Sequence, residues 1–303
     1  MRHELARDKF SFAFDKDIIP AIKVNKGDEV VFHTIDAHNG TVPKGIDVVF
    51  PNIDLSECNP ISGPVYVNDA EPGDVLKVKI LDIEISDWGY VPARNNMGSI
   101  KGLALKNVAR NMQIKDNYIY FDQDIKIPLR PMIGTIGVAP KNIPVISSNA
   151  GVHGGNMDNN DVKKGSIIYF PVFSDGALLS VGDVHASMGD GELTSGGVDT
   201  CAKVILELDL IKHKRIDSPI IETGDAIILV SNSEDFYEAN RMVTKRMIHL
   251  LEEYLGIKSV EAYWLISICG DLKISQACDC PVGLTLRMSF PKSVLFTKKN
   301  KLL

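Results

Sequence analysis

The chain has 303 residues, 45% of them hydrophobic and 24% charged, ordinary values for a globular protein of one large or two modest domains. That composition excludes a collagen, a coiled coil and a mostly disordered chain. Lys and Arg number 33 against 39 Asp and Glu, a net charge of -6 with no basic stripe apart from the short tail Lys298, Lys299 and Lys301, so no nucleic-acid partner is expected.

No run approaches the roughly 18 to 20 apolar residues that cross a bilayer, and no membrane partner is expected. Met1-Arg2-His3-Glu4 carries charge without an apolar stretch behind it, so no secretory signal is expected either. The five cysteines (Cys58, Cys201, Cys269, Cys278 and Cys280) are then expected to be reduced thiols in the cytoplasm. Cys278 and Cys280 form C-x-C, not the C-x-x-C of a zinc knuckle, and read as small buried residues plus a loop pair.

In chain order, β-branched runs with a period of two mark strands at Glu29–Phe32, Val75–Ile80 and Val204–Leu208. In the second, Leu76, Val78 and Ile80 share one face, Val75 takes the other, and Lys77 and Lys79 point away. The turns Asn25-Lys26-Gly27-Asp28, Glu71-Pro72-Gly73-Asp74 and Glu222-Thr223-Gly224-Asp225 each precede such a run. Their recurrence predicts a sandwich or barrel of hairpin-like units. A strand is expected at Ala226–Val230, followed by one long helix over 234–255. Its apolar stripe is Phe236, Ala239, Val243, Met247, Leu250, Leu251 and Tyr254. Ser231 and Glu234 have capping-box spacing and Gly256 suits the position after the helix. A further strand is expected at Glu261–Cys269. The fold class is therefore mainly β, with a β-rich body over 1–220 and a smaller α+β unit over 221–303.

Two of the seven histidines share an arrangement: Asp36-Ala37-His38 and Asp183-Val184-His185. Residues two apart on a strand share a face, so each D-x-H offers a carboxylate beside an imidazole. If the two segments converge, their four oxygen and nitrogen donors suit Zn²⁺ or a similar divalent ion. The second motif continues through Met188-Gly189-Asp190-Gly191-Glu192, where a carboxylate beside a metal can accept a proton from water. Gly151-Val152-His153-Gly154-Gly155-Asn156-Met157-Asp158 is a third cluster whose glycines leave room for a ligand. No nucleotide-binding glycine loop or G-x-S-x-G elbow occurs, and Ser147-Ser148 and Ser195-Gly196-Gly197 lack the lysine context of a serine amidase.

At these clusters the sequence resembles the acetamidase/formamidase family. The similar stretches are Asn59–Val67 with Glu71–Asp74, Pro131–Pro140, His153–Asp158, Gly176–His185 through Gly189–Glu192, Ala262-Tyr263 and Gly270–Ser275. One departure is Met188, where the family more often has Gln. The resemblance implies hydrolysis of small linear amides such as formamide or acetamide to ammonia and a short carboxylate. It also implies a jelly-roll-like β body and a homodimer or higher homo-oligomer.

The expected site then has Asp36, His38, Asp183 and His185 as metal ligands and Glu192 and His153 as catalytic groups. Asp158, Asn156 and Gly154 would hold substrate or orient the ligands. The expected cofactor is Zn²⁺, with a second ion such as Ca²⁺ considered beside it. Two other readings stay open: hydrolysis of another C–N bond (a carbamate, a urea-like compound or a formylated amine), and a jelly-roll binding module with a structural ion.

Overall fold

The computed structural model describes residues 1–45, 47–52, 54–279, 281 and 283–295. Cys280 and the basic group Lys298, Lys299 and Lys301 lie outside the described residues. Two large sheets, of nine and thirteen strands, form a sandwich. The nine-stranded sheet runs, from edge to edge, through Arg2–Leu5, Glu29–Thr34, Ala202–Ile211, Val75–Ile85, Ile167–Pro171, Ile220–Glu222, Ala226–Ser233, Leu284–Pro291 and Asp271–Gln276. Its first pair is parallel and the other pairs are antiparallel. The boundary drawn at 220/221 falls inside this sheet.

The alternation read at Val75–Ile80 explains how the sheet is used on both faces. Leu76, Val78 and Ile80 enter the core between the sheets with Phe32, Phe170, Val204 and Leu206, opposite Val65, Ile133, Ile136, Val181 and Val184 of the other sheet. Val75 and Tyr169 point the other way, into a second core with Ile227, Leu229, Met288 and Phe290. That outer face is covered by the long helix Phe236–Leu255, through Val243, Met247 and Leu251, and by a second helix, Ser259–Cys269, through Ala262 and Ile266. The mainly β body with one long C-terminal helix is thus borne out. Among the described residues, no helix is long and apolar enough to cross a membrane.

Three local expectations need correction. The long helix starts at Phe236, not 234, because the strand before it runs on to Ser233. Its N-cap is Asp235, whose carboxylate accepts from Glu238 N at 2.7 Å, while Ser231 Oγ donates sideways to Ala239 O. Gly256 does close the helix, with φ 66°. Second, Glu261–Cys269 is helical, not a strand. An apolar run with little contrast between faces fits both periods, and the ends decide: the Lys258 N–H is bound by Glu261 Oε2 at 2.8 Å and Gly270 terminates the run. Third, Asp36-Ala37-His38 is a turn after the strand Glu29–Thr34 rather than strand itself. Asp36 Oδ1 accepts from the backbone N–H groups of His38 and Gly40 at 3.1 and 3.2 Å, which turns the chain there.

Candidate active site

The strand Leu179–His185 lies between Met132–Gly137 and Ile61–Val67 in the thirteen-stranded sheet and is buried along its whole length. Its last residues carry the second D-x-H. On the neighbouring strand Gly134 makes room: a Cβ there would lie 2.9 Å from Asp183 Oδ2 and closer still to Asp158 Oδ1. The missing side chain lets those two carboxylates converge. Asp158, Asp183 and Glu192 adopt left-handed backbone conformations, with φ of 42°, 52° and 47°. Aspartate tolerates this region better than glutamate, and each such residue costs about 1–2 kcal/mol. Three strained carboxylate-bearing residues in one place are the pattern of a functional site.

Asp158, Asp183 and His185 offer donor atoms that all lie within 4.8 Å of one another, and all three residues are buried. His185 Nε2 is 3.1 Å from Asp183 Oδ1 and 3.3 Å from Asp199 Oδ1. Asp183 Oδ2 accepts from Asn59 Nδ2 at 3.0 Å and from Thr135 Oγ1 at 3.4 Å. Asn156 Oδ1 gathers the same two donors, at 3.3 and 2.6 Å, so it positions the groups that hold Asp183. Gln276 Nε2 donates to Asp158 Oδ2 at 2.7 Å and to Glu192 Oε2 at 2.8 Å.

Four buried carboxylates (Asp158, Asp183, Glu192 and Asp199) therefore surround one imidazole. Burial, with Glu192 and Asp183 beside it, pushes Asp158 well above the usual carboxylate range. Burial likewise raises Glu192 and Asp199 against the opposing pull of His185. Burial alone would lower His185, but Asp183, Asp199 and Asp158 outweigh it and hold the imidazole well above 6.5. Buried like charges at this density call for a compensating cation. Asp158 Oδ1 and His185 Nδ1 are buried without hydrogen-bond partners among the described residues. The donor set of oxygens and one imidazole suits a divalent ion, so these residues fit one.

The first D-x-H stands next to this cluster. His38 Nδ1 lies 3.7 Å from Asp199 Oδ2, whose other oxygen faces His185, so Asp199 links the two motifs. His38 is otherwise held in a directional chain. Tyr90 Oη donates to Asp36 Oδ1 at 2.7 Å, so it accepts from His38 Nδ1–H at 2.9 Å, and His38 Nε2 accepts from Arg94 Nη2 at 2.7 Å. Burial, aided by the Arg94 charge, lowers His38 to about 3, which keeps the ring neutral as this chain requires. Both ring nitrogens of His38 are engaged in it.

These groups surround a cavity of about 50 Å³ lined by His38, Asp183, His185, Glu192, Asp199 and Gln276, with Arg94, Asn59 and Asn156 among the other lining residues. That is room for a few waters or a very small organic molecule, far below the roughly 300–1,000 Å³ of a drug-sized pocket. His153 is buried and does not line it: the ring packs edge-on against Phe14 with centroids 4.9 Å apart, and burial lowers it to about 4. Gly154, with φ 97°, brings the backbone so near that a Cβ would meet Phe170 Cε1 at 2.7 Å. Met188 is buried with its carbonyl accepting from Arg130 and does not line the cavity. Ser147 and Ser148 donate to the Cys58 and Leu55 carbonyls, so neither is paired with a base. Sequence reasoning missed Asp199, Gln276, Asn59, Tyr90 and Arg94 as parts of the site.

Two packed β-sheets with a buried, acid-rich donor cluster at a small cavity define the class: a sandwich protein with a candidate divalent-metal centre. The Acetamidase/Formamidase family model matches residues 4–151 and 146–296, and the chain belongs to that family. A predicted acetamidase/formamidase from the thermophile Thermoanaerobacter tengcongensis superposes with a TM-score of 0.93 at 36% identity, covering 97% of each chain. An acetamidase from Bacillus halodurans gives 0.90 at 32% identity over 96% of this chain and 98% of that one. Among curated relatives, the acetamidase of Mycolicibacterium smegmatis is 29% identical over 225 residues, 53% of this chain and 55% of that protein. The formamidase of Methylophilus methylotrophus is 26% identical over 232 residues, 56% and 57%. The chain thus spans little more than half the length of these curated relatives.

Proposed function

We propose that the protein is a metal-dependent amidohydrolase that cleaves small linear amides, formamide or acetamide, to ammonia and a short carboxylate. The observation that carries this reading is the crowding of Asp183, His185, Glu192 and Asp199 around a cavity of about 50 Å³, with the buried Asp158 against Asp183 and His185, in a chain whose relatives include an acetamidase and a formamidase. We assign a divalent cation, Zn²⁺, to Asp158, Asp183 and His185. Asp36 and His38 stand in the adjoining chain, where a second ion such as Ca²⁺ would require Arg94 to release His38. When bound, the cation supplies Lewis acidity for polarising an amide carbonyl and activating water.

The chain's own groups do the rest. Glu192, its carboxyl raised by burial, takes a proton from the attacking water and passes it to the nitrogen, because an amide ion is too basic to leave unprotonated. The guanidinium of Arg94 reaches the cavity edge, with its Nε lacking a partner among the described residues, and serves as donor to the carbonyl oxygen or the product carboxylate. Asn156 and Asn59 keep Asp183 in place. A coordinatively closed, purely structural ion is disfavoured by the adjoining cavity.

The test is metal analysis alongside ammonia release from formamide and acetamide, before and after chelation. Activity should fall with metal content and return on reloading; full activity in verified metal-free protein would refute the assignment. We also propose a cytoplasmic, homo-oligomeric protein. Cys58, Cys201 and Cys269 are free thiols, in keeping with a reducing compartment. The helix Ser259–Cys269 turns a second apolar face outward, with Val260, Tyr263, Trp264 and Ile268 each more than half exposed, a surface suited to a second copy. Trp264→Glu should shift the protein to monomer in sedimentation; an unchanged mass would remove that surface from the interface.

A further inference from the structure

The side chain of Gln276 is 3% exposed and enters the cavity from the last residue of the edge strand Asp271–Gln276. An amide NH₂ has two hydrogens. Here both are committed, one to Asp158 Oδ2 and one to Glu192 Oε2. With Asp158 and Glu192 ionised, as they are once a cation has displaced their protons, turning the amide over would set Oε1 against two carboxylate oxygens, acceptor against acceptors, so the charges on either side fix its orientation in the metal-loaded protein. That leaves Oε1 as a buried acceptor without a partner among the described residues, on a side chain that lines the cavity with Asp183, His185 and Glu192.

Its placement is rigid. Gly191 N donates to Ser275 O at 3.0 Å, Ala277 N donates to Gly191 O at 2.8 Å, and Arg287 clamps both oxygens of Asp190 at 2.8 Å. The strand that carries Gln276 and the loop that carries Glu192 therefore move as one unit.

Resting on the amidohydrolase reading of this site, we propose that Gln276 Oε1 accepts the N–H of the substrate amide and so decides which end of the substrate faces Glu192. For formamide or acetamide the problem is acute. The oxygen and nitrogen ends have nearly the same size and shape, and there is no remote part of the molecule to grip. Only a difference between donor and acceptor can orient such a ligand. A neutral acceptor fixed beside Glu192 admits the NH₂ end and repels the carbonyl oxygen, which is left to the Asp183–His185 side. The ligand class is a small molecule with a neutral N–H donor adjacent to a carbonyl. Glu192 then faces the nitrogen it must protonate.

The experiment uses the metal-loaded full chain and two probes of the same heavy-atom shape: acetamide, and acetone, which lacks the N–H. Each is titrated as an inhibitor of formamide turnover, read as formate release, in the wild type, Gln276→Met and Gln276→Glu. We expect the wild type to bind acetamide at least tenfold more tightly than acetone, since a site with a buried unpaired acceptor discriminates against a ligand that leaves it unpaired. Gln276→Met, which removes the acceptor, should bring the two within threefold of each other, and Gln276→Glu, which keeps an acceptor, should retain the preference. Equal binding of acetamide and acetone to the wild type overturns the proposal without any variant. So does a Gln276→Met protein that weakens both probes by one common factor, since a merely structural role would do that. Failure of metal-loaded wild type to turn over any amide overturns the amidohydrolase reading itself and takes this inference with it.

Discussion

Stripping the cation should make the stability of the protein fall as pH rises, with a slope set by the acid cluster. Asp158, Glu192, Asp199 and His185 are all raised above their ordinary values in the fold. At any pH between the unfolded and folded values, the native state then holds more protons than the unfolded chain. Stability accordingly decreases with pH over that interval. For the carboxylates the loss begins at their ordinary values of 3.8 and 4.5. The His185 contribution is complete below 6.5 and is lost as pH climbs through its higher folded value. Each proton retained by the fold is worth about 1.4 kcal/mol per pH unit, so one proton held from pH 5 to 7 removes about 2.7 kcal/mol. At roughly 2 °C per kcal/mol for a chain of this size, that lowers the melting temperature by about 5 °C per proton. A bound divalent ion replaces those protons, so zinc-loaded protein should show the opposite trend, because ligand affinity grows as the protons leave. At a hundredfold excess over Kd the ion adds about 2.7 kcal/mol. The assay is thermal unfolding at pH 5, 6, 7 and 8, with and without chelator. A melting temperature of chelated protein that is flat or rising across this range would refute the account of the cluster as a charge excess awaiting a cation.

Three substitutions separate the roles of the neighbours. Glu192→Gln should keep its metal, verified by elemental analysis, and lose kcat by about 10²–10⁴-fold, the usual worth of a general base; a normal kcat would move the base elsewhere. Gly134→Ala should cut metal affinity while leaving the circular dichroism of the sheets unchanged, because the new Cβ would displace Asp158 Oδ1 and Asp183 Oδ2. Tyr90→Phe leaves Asp36 and His38 without the hydroxyl that joins them. It should cost about 1–3 kcal/mol in urea unfolding, as buried groups losing a partner do, with metal content unchanged.

What could be read in the sequence was what is local. The lysines at 77 and 79 expose the period of their strand, and Asp183 and His185 stand together because residues two apart on a strand must. Gly256 marks its helix end because its backbone needs the left-handed region that glycine enters freely. The helix Ser259–Cys269 reads as a strand in the sequence because both of its faces are apolar: Ala262 and Ile266 face the core while Val260, Tyr263, Trp264 and Ile268 face outward. Periodicity carries no information when there is no polar face to contrast with. Asp199 and Gln276 gave no local signal at all. Asp199 reaches His185 only through the pairing of Asp199–Thr200 with Val184–His185, and Gln276 ends a strand whose preceding residues, Asp271–Ile274, are exposed.

The C-terminal strand shows why such residues belong to the chemistry and not to the packing. A strand recruited only to cover an edge would end in residues that satisfy their neighbours. Buried Arg287 instead donates to Ile274 O and Ser275 Oγ of the strand that ends in Gln276 and to both oxygens of the exposed Asp190 in the Glu192 loop, so one guanidinium sets the distance between a proton acceptor and an amide. Removing the guanidinium takes away the donors that tie loop to strand and leaves Ile274 O and Ser275 Oγ without that partner. Arg287→Met should therefore disturb Glu192 and Gln276 together, lowering kcat and the acetamide preference in the same variant. If it lowered stability alone, with kcat and the preference intact, the loop and strand would be positioned independently and the proposed coupling would be wrong.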